Sequence, residues 1–82
     1  MNPDPEKIDE VVLALLHLTS FREGRGEFAV MRAWKGHDWE ALERLHQKGL
    51  ISDPKNKNKS MVFTDEGAQQ AEALFQRLFC KP

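Results

Sequence analysis

Gly49 divides this chain into two stretches with different hydrophobic periods. Upstream, Asp38 offers an N-cap, and Leu42 and Leu45 fall at helical spacing, which predicts a helix running to Lys48. Gly49 supplies the left-handed residue just past its end, and Leu50 can fold back on the last turn. Downstream, Leu50-Ile51-Ser52 and Ser60-Met61-Val62-Phe63 are short β-type runs on either side of the polar, turn-rich Asp53-Pro54-Lys55-Asn56-Lys57-Asn58-Lys59. That pattern predicts a β-hairpin. The chain must therefore join a helix to a hairpin at this glycine.

Three more helices are expected around that joint. Asp4, Pro5 and Glu6 form an N-terminal helix signal, and the helix continues to about Ser20. On its wheel Ile8, Val11, Val12, Leu15, Leu16 and Leu18 share one broad arc, while Leu13 falls outside it beside His17. Residues 21–26, with Gly24 and Gly26, read as a loop, and a short second helix is expected over 27–34 from Phe28, Met31 and Trp34. Thr64 caps a last helix to about Phe79, whose apolar side holds Gly67, Ala68, Ala71, Leu74, Phe75, Leu78 and Phe79, with Cys80 on the polar side. Leu15 and Phe75 are expected in the core, and Gly67 predicts a close backbone approach. With 82 residues there is room for one domain over 1–82.

The order of elements, mainly α with one β-hairpin, is that of a winged helix-turn-helix: three N-terminal helices, a two-stranded wing and a C-terminal helix. Leu42-Glu43-Arg44-Leu45-His46-Gln47-Lys48-Gly49-Leu50-Ile51, the basic loop, and Met61-Val62-Phe63-Thr64-Asp65-Glu66-Gly67 resemble bacterial winged-helix transcription regulators of the multiple-antibiotic-resistance and phenolic-acid-repressor type. With Ala33-Trp34-Lys35-Gly36-His37-Asp38-Trp39, the whole chain further resembles a small bacterial family of unknown function. The first resemblance implies double-stranded DNA binding in transcription regulation, as a homodimer.

On that reading Arg44 and Gln47 face the bases, while Lys55, Lys57 and Lys59 meet the backbone from the wing tip, with Arg32 and Lys35 adding a second basic segment. The plain alternative pairs Glu40 with Arg44 at i, i+4, and leaves the lysines as a solvated tip that keeps an edge hairpin from aggregating. Formal charge is -1, yet residues 54–64 carry +3 and residues 21–37 carry +2, so the near-neutral total hides segregation. A second reading is a protein-protein interaction module without DNA binding. It uses Trp34 and Trp39, which bracket a turn, together with Leu13 and Phe79 as surplus apolar surface.

No catalytic, metal or cofactor site is expected. His17, His37 and His46 lack metal-ligand spacing, Cys80 stands alone, and no glycine-rich phosphate loop or nucleophile elbow is present. No stretch approaches the roughly 20 apolar residues of a membrane span, and the polar start shows no signal peptide, so the cytoplasm is the expected compartment.

Overall fold

A computed structural model describes residues 1–82. Asp4 caps the first helix, α1 (Pro5–Leu18), its carboxylate accepting from the Glu6 N–H at 2.9 Å, and Pro5 takes the first turn. Next come a short strand β1 (Phe21–Glu23), a single 3-10 turn (Gly26–Phe28) and a second strand β2 (Val30–Trp34). The second helix α2 (Trp39–Gln47) starts where the Asp38 carboxylate accepts from the Ala41 N–H at 3.0 Å. Strand β3 (Ser60–Val62) and helix α3 (Asp65–Phe79) complete the chain, with Thr64 capping α3 through Gly67 N–H at 3.0 Å.

The winged helix-turn-helix is overturned. Residues 27–34 hold a turn and a strand instead of a second helix, so the element directly before α2 is a strand. The three strands form one antiparallel sheet in the order β1-β2-β3. Phe28, Met31 and Trp34 do lie three apart, but Met31 and Ala33 also alternate with Val30, Arg32 and Trp34, which suits a strand covered on one face. An eight-residue helix is marginal without packing, whereas the strand gains two ladders, Phe21 opposite Arg32 and Ala33 opposite Met61. The two-stranded wing is corrected for the same reason. β3 pairs with β2, and Ile51 meets Phe63 only as a single bridge.

The expectations at Gly49 and Gly67 hold. Gly49 has φ +76°, and the bonds Leu50 N–H to Leu45 O (3.1 Å) and Gly49 N–H to His46 O (2.9 Å) make a Schellman cap. Leu50 O then accepts from Thr64 N–H at 3.0 Å, and a Cβ added to Gly67 would lie 1.7 Å from that oxygen. The end of α2 and the start of α3 thus touch backbone to backbone.

The core lies between the inner sheet face, with Ala33 and Met61, and the three helices. α2 contributes Ala41, Leu42 and Leu45, and the segments beside β3 contribute Leu50, Ile51 and Phe63. α1 is rotated from the expected arc: Asp9, Val12, Leu13, Ala14 and Leu16 are buried, so Leu13 is core at 1% exposure. Ile8, Val11 and Leu18 are exposed and Leu15 is only half-buried. α1 and α3 run side by side in opposite directions, with Glu10 paired to Arg77 and the His17 ring 5.1 Å from the Phe75 ring. Phe75 is half-buried, and Leu78 and Phe79 at the end of α3 are exposed.

Candidate interaction surface

The rotation of α1 is tied to a buried carboxylate. Asp9 is 2% exposed and accepts from Arg44 Nε at 3.0 and 2.9 Å, from Arg44 Nη2 at 2.8 Å and from Lys48 Nζ at 3.0 Å. Lys48 also reaches Glu6 at 3.2 Å. Burial acts to raise the Asp9 pKa, but hydrogen bonds and charge from Arg44 and Lys48 outweigh it and hold the carboxyl below its ordinary value. The Arg44 fork is therefore spent on α1, and the nominated base reader is a strut between α1 and α2. No sequence neighbour of Arg44 signals this, because its partner lies 35 residues away. The signal that sequence reasoning missed is Asp9 itself, an acid set between Ile8 and Val12.

Three of the other nominated cations, Lys35, Arg32 and Lys55, are also engaged within the fold. Lys35 Nζ donates to Pro54 O at 2.8 Å and to Asn56 Oδ1 at 2.7 Å, which ties the basic loop to the end of β2. Arg32 Nε donates to Ser60 Oγ at 2.9 Å, and its guanidinium lies 3.7 Å from Glu23. Lys55 sits 3.6 Å from Glu43, on the exposed surface. Gln47, Lys57 and Lys59 are exposed. In the loop, Asp53 accepts from Lys55 N–H and Asn56 from Asn58 N–H, both at 2.9 Å, so two Asx turns shape it.

The aromatic residues gather differently. Along β2, Val30, Arg32 and Trp34 point away from the core, joined across the ladders by Phe21 and Glu23 of β1 and by Ser60 and Val62 of β3. The Phe21 and Trp34 rings stand 5.1 Å apart at 33°, and Trp34 remains 54% exposed on the open face. Trp39, at the first turn of α2, is 53% exposed, and Phe28 in the 3-10 turn is 83% exposed. The sheet thus presents an aromatic pair on its outer face, with Arg32 beside it donating to Ser60. Of the nominated partner residues, Trp34, Trp39 and Phe79 are on the surface, and Leu13 is not.

A cleft of about 470 Å³ opens between α1, α3 and the end of α2, with Leu13, Leu45 and Leu74 at its floor. Its charges are matched pairwise, Glu10 with Arg77 and Asp9 and Glu6 with Lys48, which leaves it a braced seam between helices. His46 Nδ1 lies 3.0 Å from Ile51 O, so this ring fastens the turn after α2. No helix is long and apolar enough to cross a membrane.

The family described as Domain of unknown function (DUF6429) matches residues 4–81. The uncharacterized protein y4hR of Sinorhizobium fredii (strain NBRC 101917 / NGR234) is 52% identical over 81 residues, which cover 99% of this chain and 100% of that protein. No solved structure matches the chain.

Proposed function

For a chain that belongs to the bacterial family of the domain of unknown function DUF6429, we propose the role of a non-catalytic protein-interaction module that docks a partner protein on the outer face of its sheet. The observation that carries this is Trp34, 54% exposed at the end of the central strand and backed by the Phe21 ring. Aromatic side chains held by rigid elements lose little entropy on binding and supply most of the energy at protein interfaces. Val30, on the same face of β2, extends the apolar area, and the +2 charge of residues 21–37 favours a partner with an acidic rim.

Double-stranded DNA is the second reading, and it rests on the loop lysines. Residues 54–64 carry +3, and Lys57 and Lys59 are exposed. Against it, Arg44, Lys35 and Arg32 have protein partners that a phosphate must displace.

One pair of measurements separates the two. Affinity capture from the bacterial host compares the protein with its Trp34→Ser variant, and the expected result is a partner retained by the first and lost by the second. Titration with random duplex DNA at about 50 mM salt is expected to show no submillimolar, salt-sensitive binding. The proposal fails if Trp34→Ser retains the same partners. It also fails if DNA binds and the combined Lys55→Gln, Lys57→Gln and Lys59→Gln changes cut its salt slope by about three units.

A further inference from the structure

The outer side of α1 carries a second apolar row that the rest of the fold leaves bare. Ile8, Val11, Leu15 and Leu18 are spaced three, four and three residues apart, the a and d positions of two successive heptads. Ile8 is 37% exposed, Val11 41% and Leu18 60%, and Leu15 is half-buried. The core side of the same helix is a different set, Asp9, Val12, Leu13 and Leu16. A helix that is apolar on two sides is suited to being covered twice.

The spacing also states what can cover it. Three-four-three reads the same in either direction, so a second α1 laid antiparallel across a two-fold axis matches the row to itself. The partner's Leu18 then meets Ile8, and the partner's Leu15 meets Val11, the a-to-d layers of an antiparallel coiled coil. Of the flanking positions, Val12 and Ala14 are buried in the fold, which leaves Lys7 and Thr19 exposed beside the row, with one charge between them. In a parallel pairing the two Lys7 charges lie at the same level along the axis, and the two acidic N-terminal turns, each with Asp4 and Glu6, abut. The antiparallel pairing sets the two lysines about 18 Å apart along the axis and opposes the helix dipoles favourably. Glu6, Asp9 and Glu10 lie off the row and are already paired with Lys48, Arg44 and Arg77.

We propose that two copies of this chain associate through α1 in this antiparallel arrangement, with Leu78 and Phe79 of α3 at its rim. The row is about 15 Å long, and four side chains per copy cover less than the roughly 800 Å² per partner of a standard interface. Leu78 is 41% exposed and Phe79 49%, and the Glu10–Arg77 pair brings that end of α3 beside the first turns of α1, which widens the contact. A dimer of this size dissociates in the micromolar range.

Sedimentation equilibrium from about 1 to 500 µM tests the pairing. The expected mass climbs from 9.5 kDa toward twice that value. Val11→Glu and Leu18→Lys, both at exposed positions, are each expected to raise the dissociation constant at least ~10-fold with the far-UV circular dichroism unchanged. Trp34→Ser leaves the mass unchanged, so the sheet-face proposal stands or falls separately. The direction is read by cross-linking in a Cys80→Ser background: mixed Val11→Cys and Leu15→Cys copies are expected to join to each other in preference to like with like. A mass of 9.5 kDa at every concentration overturns the proposal. So does a dimer that both charge variants leave intact, or a preference for like-with-like disulfides.

Discussion

Asp9→Ala removes the carboxylate on which α1 and α2 are joined, and its cost can be worked from the geometry. The carboxylate receives two donors from Arg44 and one from Lys48, and hydrogen bonds to charged groups contribute about 1.5–3 kcal/mol net each. Removing one member of a fully buried pair costs about 3–5 kcal/mol, mostly because a charge is stranded. Here the stranded cations are not sealed in, since the Arg44 side chain is 29% exposed and that of Lys48 37%, and both can rehydrate. The expected loss at pH 7 is therefore about 2–3 kcal/mol, a fall of roughly 10–20 °C in Tm for a domain this small. Urea and thermal melts followed by circular dichroism measure it. The pH dependence supplies a second check. Asp9 titrates below its ordinary 3.8 in the folded protein, so its contribution is present above that value and is lost as pH falls through the folded pKa. The gap between the parent protein and Asp9→Ala should be constant near neutrality and close below about pH 3.8, and Asp9→Asn, which keeps one acceptor oxygen, should fall between them. A gap under about 0.5 kcal/mol at pH 7, or one that persists undiminished into strong acid, would refute the strut.

Three further outcomes are expected. Leu13→Ala should cost about 2–5 kcal/mol and Leu15→Ala under about 1 kcal/mol in the monomer, because the first is sealed in the core and the second faces outward; equal losses in denaturant melts would put the helix back in the expected rotation. Gly67→Ala should cost about 3 kcal/mol or more, since the new Cβ meets the backbone of Leu50 and no side chain can yield; a near-normal melt would refute the close approach. Burial holds the His37 pKa below 6.5, so the unfolded chain takes up a proton first and stability should decline as pH falls below 6.5, a slope that His37→Asn removes in melts at pH 5–7.

What the sequence made legible was local. Asp4, Asp38 and Thr64 cap the three helices, and Gly49 closes α2, because each acts on backbone groups within a few residues. The strand at 30–34 was hidden because its partners are distant: Trp34 finds Ser60 across α2 and a loop, and nothing beside Trp34 in the chain announces that pairing. The partners of the candidate cations were hidden for a related reason. A basic residue on a helix reads as surface until its acid is located, and the acid holding Arg44 sits on α1. The two tryptophans stood out by their number and position, and both are exposed, but Phe21, which backs Trp34, read as part of a loop.

The β2–β3 ladder also governs how the chain must acquire its structure. Its central strand can form a short hairpin with β1 early, since those residues are neighbours, but that hairpin alone exposes Met31 and Ala33. Closure waits until α2 and the loop bring Ser60–Val62 alongside, and α1 and α3 meet only when nearly the whole chain has been gathered. Loop-closure entropy falls on the sheet and the helix pair together, before either gains its full packing. The domain should therefore fold slowly for its length and in a single cooperative step, and a fragment ending before Ser60 should not hold its sheet.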